Sequence, residues 1–264
     1  MKKFLLTLLF TIYSIITFGY TFDKGLTLDA SADVVANYVY RGEKITGFAI
    51  QPNITFGYCD EYNNSICINA WASFGDFANA SWKKPIYKEL DLSIEYSYNE
   101  QFTVGLTHFY YFDGSRYFDM SDGYNDNTTQ LEIYLELCLS ENIPLTLYWA
   151  TLIAGADYGE PYEHPCKDRP YSTYVEISYP IDFGNGYELT PRVGFSPWKS
   201  YYTQFDENFT FNNLQLTFNK TFEFPTMGYC SLYAEMMFNL HGVGRTKFTY
   251  NQNWFWNVGV SIGI

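Results

Sequence analysis

Residues 33–58, DVVANYVYRGEKITGFAIQPNITFGY, decide how this chain is read. Two alternating runs are joined by a polar connection containing Arg41-Gly42 and Gly47. Successive side chains on a strand point to opposite faces. Val34, Ala36, Tyr38 and Tyr40 therefore share one face, and Asp33, Asn37 and Arg41 lie on the other. In the second run Ile50, Pro52, Ile54, Phe56 and Tyr58 oppose Gln51, Asn53 and Thr55. The pattern predicts an antiparallel hairpin with an oily side and a wet side.

Working outward, the pattern recurs until twelve runs are found: 27–40, 48–59, 65–76, 88–98, 102–112, 128–139, 145–156, 171–181, 187–196, 211–222, 228–239 and 253–264. Each is ten to fourteen residues long, the reach of a tilted membrane-crossing strand rather than of an ordinary one. The alternation is plain in 88–98, where Leu90, Leu92, Ile94, Tyr96 and Tyr98 oppose Glu89, Asp91, Ser93, Glu95 and Ser97. It is as plain in 128–139, where Leu131, Ile133, Leu135, Leu137 and Leu139 oppose Gln130, Glu132, Tyr134, Glu136 and Cys138. These runs lack helical periodicity. The gaps between runs alternate in length. Those at 60–64, 99–101, 140–144, 182–186 and 223–227 are five residues or fewer, whereas 113–127 reaches fifteen. Short turns on one side and longer loops on the other are the mark of an outer-membrane barrel, and an even strand number suits one. The fold class expected is all-β: a closed antiparallel transmembrane β-barrel of about twelve strands in an up-and-down meander.

Targeting and charge agree with this. Lys2-Lys3, the uncharged apolar run that follows and the small residue Gly19 predict a secretory signal peptide at 1–19, leaving 20–264 as a single barrel domain. No later segment offers the ~20 apolar residues of a spanning helix. Removing Lys2 and Lys3 moves the formal net charge from −13 to −15, which argues against nucleic acid as a partner. Aromatics make up 21% of residues, with 26 Tyr, 23 Phe and 6 Trp. A water-soluble domain would struggle to bury so many, but a barrel places them at the membrane interfaces and in its lumen. The expected surroundings are outer-membrane lipid on the outside and small solutes within.

Apolar side chains must face lipid, so the polar parity faces inward. The lumen then receives Asp29, Asp33, Glu89, Asp91, Glu95, Glu132, Glu136, Glu176, Glu188 and Glu235, with Arg192 and, near the outer rim, Arg41 as its bases. So many carboxylates cannot all be paired, and desolvating them singly costs several kcal/mol each, so a hydrated, acidic lumen is expected. Inward Trp71, Tyr134, Tyr148 and Tyr174 should narrow it. Arg41 is expected to pair with an inward carboxylate, with Asp33 a candidate if the register permits. The set points to a narrow porin-like channel for small solutes or cations. The alternative is a closed structural or surface-binding barrel acting through loops 113–127 and 157–170.

Cys59 and Cys67 flank a short turn with matching parity, so both a cross-strand disulfide and two reduced thiols fit the sequence. No cysteine–histidine spacing suggests a metal, and no cofactor is expected. Enzyme chemistry is not expected either. His108 sits on the lipid-facing parity, and His164 and His241 lie in loops. Glu132 and Glu136, four apart on one strand, are roughly 13 Å from each other, too far for typical acid/base work.

Two stretches carry resemblances. Asn257-x-Gly259-x-x-Ile262-x-Ile264 resembles the C-terminal assembly signal of outer-membrane barrels, although it ends in Ile where an aromatic is usual. Tyr38-Val39-Tyr40-Arg41-Gly42 followed by Ala49-Ile50-Gln51-Pro52 resembles the signature of the TorF-type porin family, small outer-membrane barrels many of which come from Bacteroidota. That resemblance implies a porin of Gram-negative type and carries over no binding or catalytic residues. Pro52 is the part of the signature that local physics leaves as a puzzle, because a proline inside a wall strand predicts a bulge or a missing rung.

Overall fold

The structure, a computed structural model, describes residues 20–22, 25–77, 86–112, 117–118, 129–140, 142–157, 169–203, 208–225, 228–239 and 253–264. The expected export segment 1–19 lies outside them. The strands in chain order are β1 (Tyr20–Phe22), β2 (Leu26–Val35), β3 (Tyr38–Tyr40), β4 (Glu43–Thr46), β5 (Ala49–Cys59), β6 (Ser65–Gly75), β7 (Tyr87–Tyr98) and β8 (Phe102–Tyr110). They continue with β9 (Gln130–Ser140), β10 (Ile143–Gly155), β11 (Thr173–Ser178), β12 (Ile181–Gly184), β13 (Tyr187–Ser196), β14 (Thr210–Phe224), β15 (Gly228–Phe238) and β16 (Trp254–Gly263).

Each wall strand pairs antiparallel with the next, and β16 returns to β2 (Val260 opposite Val34, Ile262 opposite Ala32), which closes the sheet. β11 and β12 both run along β13 and form one wall strand interrupted at Tyr179-Pro180. The barrel so closed has twelve wall strands among the described residues. Closure removes the exposed edges that a long flat strand would otherwise present. The runs read from the sequence coincide with these strands to within a few residues, the first excepted. β2 leaves the wall at Val35 instead of continuing to residue 40, and the separate hairpin β3–β4 follows it.

The short turns carry the backbone conformations that two- and three-residue hairpins demand. Asn185 and Gly186 both have positive φ, 54° and 75°, in the two-residue turn between β12 and β13. Asp60 organises the turn after β5, its Oδ1 accepting from the amides of Tyr62 and Asn64, both at 2.8 Å. Pro52 resolves as a missing rung and not a bulge. On the β6 side the ladder passes from Ile50–Phe74 to Asn53–Trp71 with its register unshifted, and Gln51 Nε2 donates to Ser73 Oγ at 3.3 Å inside the gap.

The outer surface explains why the sheet needs a membrane. A band of exposed Ile68, Ile94, Leu106, Leu135, Leu147, Leu214 and Leu232 circles the barrel. Exposed aromatics flank it, Tyr96, Tyr98, Phe102, Phe183 and Phe222 towards the short turns and Trp149, Trp198, Phe211, Trp254 and Trp256 towards the long loops. A water-soluble monomer rarely presents so large a contiguous apolar surface, and the banding is that of a transmembrane barrel. His108 keeps its outward position but is only 3% exposed, roofed by Tyr117 and Phe118 with ring centres 5.1 and 4.6 Å away. His164, His241 and most of loops 113–127 and 157–170 lie outside the described residues.

Candidate functional site

The site begins where β2 ends. The Ala36 amide donates to Val258 O at 2.9 Å and the Asn37 amide to Asn257 Oδ1 at 3.0 Å, holding the chain to β16 as it bends out of the wall. Residues 38–46 then fold back on themselves, pairing Tyr38 with Thr46, Val39 with Lys44 and Tyr40 with Glu43. The tip is Arg41-Gly42, with φ of 50° and 79°, so this is a two-residue turn of type I′. Such a turn favours Asn or Gly at both central positions, and arginine there is uncommon. The hairpin rejoins the wall through Tyr38 N donating to Gly47 O at 3.2 Å and Gly47 N donating to Asp76 Oδ1 at 3.1 Å.

Instead of rising as the shortest outer loop, the hairpin turns into the lumen. Tyr38, 6% exposed, packs beside Trp71 of β6 at 5.5 Å and Tyr87 of β7 at 6.1 Å, and Tyr40 meets Phe109 of β8 at 6.1 Å. The tip meets β14, three strands round the ring from β2. A Cβ on Gly42 would lie 2.2 Å from the backbone oxygen of Asn212 in β14, so only glycine allows this approach, and Asn239 Nδ2 donates to Gly42 O at 3.3 Å. The segment therefore projects from β2 into the barrel as an inserted plug, its tip against β14 and its Arg41 side chain directed at β9.

Arg41 fixes the insertion. Its guanidinium donates from Nη1 to Glu132 Oε2 at 2.6 Å and from Nη2 to Glu132 Oε1 at 2.7 Å, a bidentate pair, with the two side chains 6% and 2% exposed. Nη2 also donates to Tyr148 Oη at 3.1 Å, and Nη1 to Tyr202 Oη. The rings of Tyr40, Tyr174, Tyr202 and Tyr148 surround the guanidinium carbon at 4.6, 4.9, 5.3 and 5.7 Å. Arg41 thus pairs with an inward carboxylate as expected. The partner is Glu132 on the opposite wall, whereas Asp33 stands lower on β2 opposite Ser261. Tyr202 comes from a single 3-10 turn, Tyr201–Thr203, that also folds inward; Asn212 Nδ2 donates to its carbonyl oxygen at 2.6 Å. Tyr202 was not legible as a site residue because the connection that holds the turn shows no periodicity, and Asn212 was not because it sits at the register shift of β14 against β13, which breaks the alternation there.

The remaining acids face inward as the alternation requires, in two environments. Near the plug, Glu89 is buried and accepts from Tyr87 Oη at 2.7 Å, and Asp91 Oδ1 is buried with no hydrogen-bond partner among the described residues. Towards the short turns the carboxylates are supported by neutral donors. Glu235 accepts from Gln215 Nε2 at 2.8 Å and Asn257 Nδ2 at 3.0 Å, and Glu188 accepts from Thr190 Oγ1 at 2.7 Å. Arg192 lies 3.9 Å from Glu176. Asp29 and Glu136 are exposed to the lumen. Asp33, Arg192, Thr217, Asn219, Glu223, Tyr233 and Glu235 are among the residues lining a cavity of about 930 Å³ that reaches the β14–β15 turn.

The inward tyrosines narrow the lumen less than their size suggests. Tyr134 lies flat across Gly105, whose Cβ would come within 2.3 Å of the ring, and donates to Glu95 at 2.5 Å. Tyr174 covers Gly194 in the same manner and donates to Glu176 at 2.6 Å. The narrowing that exists comes from the hairpin. Cys59 and Cys67 are free thiols. Cys59 pairs with Ser65 and Cys67 with Gly57, so the two sit on a diagonal instead of face to face, and the bridge considered from the sequence is not formed.

No family model matches the chain, and no curated protein matches it. Among solved structures, Salmonella typhi OmpF in a complex with daunomycin aligns over 92% of this chain and 98% of its own, at 10% identity and a TM-score of 0.39.

Proposed function

We propose that this protein is a porin-like channel of the outer membrane whose resting pore is closed by the β3–β4 hairpin and whose lumen favours small cations when the hairpin yields. The observation that carries the proposal is the plug itself, set into an otherwise polar lumen and held at its tip by the Arg41–Glu132 ion pair. A purely structural barrel of this size could fill its interior with apolar side chains. Here the filling is a separate hairpin, and a cavity of about 930 Å³ whose lining includes Asp33, Arg192 and Glu235 lies beyond it. With inward acids outnumbering Arg41 and Arg192, and Arg41 bound to Glu132, a cation crossing the lumen meets a net negative wall. Membership of the TorF-type porins fits the same picture, since the residues that carry the resemblance are those of the plug and its seat. Tyr38 to Gly42 form the inserted arm, Ala49 is fully buried beneath it, and Gln51 bridges to Ser73.

Recording the full-length protein in planar bilayers tests this. Brief, small, cation-selective openings are expected. Anion selectivity, or silence that persists after the Arg41–Glu132 pair is broken, would overturn the channel and leave the closed surface-binding barrel as the better account.

A further inference from the structure

We propose that the tyrosine cage around Arg41 is a binding site for guanidinium-bearing cations, occupied in the resting barrel by the chain's own arginine, and that such a cation displaces the hairpin by taking its place. Displacement rests on the channel proposed above; binding to the vacated cage does not.

The cage belongs mainly to the wall and not to the hairpin. Glu132 stands on β9, Tyr148 on β10 and Tyr174 on β11, and Tyr202 comes from the inward 3-10 turn; of the groups around the guanidinium only Tyr40 travels with the arm. Two of these wall groups are held independently of Arg41, and Tyr148 Oη donates to Glu132 Oε1 at 3.5 Å. Tyr174 is fixed by its hydrogen bond to Glu176 and by its seat over Gly194, and Tyr202 by the 2.6 Å bond from Asn212 to its carbonyl oxygen. Withdrawal of the arm would therefore leave a preorganised pocket with one carboxylate and three phenol rings.

The pocket's chemistry selects a planar fork. Two carboxylate oxygens take parallel N–H donors at 2.6 and 2.7 Å, and ring faces stack around a flat, delocalised cation. A compact ammonium can neither form the bidentate pair nor spread its charge over several faces, so it gains less from the same groups. The arginine is also placed against local preference, at a positive φ of 50° where asparagine or glycine is usual. A plug needs only to fit. What Arg41 adds is a guanidinium in a guanidinium-shaped pocket, as a tethered ligand would.

The test uses full-length barrel in detergent, its folding verified by unheated electrophoretic mobility, and isothermal titration with agmatine, with cadaverine and tetramethylammonium as controls. Arg41→Gly empties the cage while suiting the positive-φ turn, and Arg41→Asn serves if the glycine variant does not fold. The variant should bind agmatine at least about tenfold more tightly than cadaverine. Adding Glu132→Gln should abolish that preference. Wild type should bind agmatine about tenfold or more weakly than Arg41→Gly, because the tethered arginine holds the site for most of the time. Equal affinity for agmatine and cadaverine, or a preference that survives Glu132→Gln, overturns the proposal. A silent bilayer with the preference intact would remove the channel and leave the site; conductance without the preference would do the reverse.

Discussion

Replacing Glu132 by glutamine should open the barrel. The Arg41 and Glu132 side chains are 6% and 2% exposed, so the pair is desolvated and its strength is little screened by water. Removing one partner of a buried pair typically costs about 3–5 kcal/mol, because the other charge is left without compensation. Glutamine keeps one acceptor oxygen and the four tyrosine rings remain, which places the cost at the lower end, about 3 kcal/mol. The folded barrel can avoid that cost by releasing the hairpin, which also relieves the positive φ at Arg41, a strain on the order of 1 kcal/mol. At 1.4 kcal/mol per factor of ten, the closed-to-open ratio should fall by roughly a hundredfold or more. A pore open for well under about 1% of the time would then be open for a substantial fraction of it. Single-channel recording reads this directly as open probability. The double variant Arg41→Met/Glu132→Leu replaces both charges by apolar groups of similar bulk and should return the barrel towards silence, as buried pairs tolerate joint replacement. Equal open probability in wild type and Glu132→Gln would refute the account, as would a double variant as open as the single one.

Three further outcomes follow from the same geometry. Gly42→Ala adds a Cβ 2.2 Å from Asn212 O at a φ of 79° and should push the tip off β14 and raise open probability; Gly184→Ala, also at 79° but with nothing within 4 Å, carries the strain of about 1 kcal/mol alone and should conduct like wild type. Gly105→Ala should drive Tyr134 off its seat and away from Glu95, destabilising the barrel by about 1–3 kcal/mol, read as a lower urea midpoint. Asp157, just beyond β10, accepts from the Ser172 amide at 3.0 Å and lies 4.0 Å from Arg169, and burial pushes its carboxyl from the ordinary 3.8 up to about 6. Because the folded value is the higher one, its stabilising contribution is full below about 3.8 and is lost as pH rises through about 6. Hydrogen exchange at the Ser172 amide, corrected for intrinsic rate, should show protection falling across that window, and Asp157→Asn should flatten the change.

The barrel was legible in the sequence because its determinants are local. A period of two, sustained over ten or more residues and broken by turn residues such as Asn185-Gly186, specifies a strand with one face to lipid and one to the lumen. Inward placement of Glu89, Asp91, Glu95, Glu132 and Glu235 followed from that parity alone. The same locality concealed the plug. Val34, Ala36, Tyr38 and Tyr40 continue the alternation of β2 without a break, and a period-two run looks the same in a wall strand as in a hairpin folded inside the wall. Only the closed ring settles where the run leaves the wall and what its tip meets. Arg41 finds Glu132 and Tyr202 at sequence separations of 91 and 161 residues, and Gly42 finds the Asn212 backbone. Contacts so distant leave no periodic trace, so the sequence by itself determined a barrel with an acidic lumen, while tertiary structure decided that a hairpin enters that lumen and which carboxylate receives its arginine.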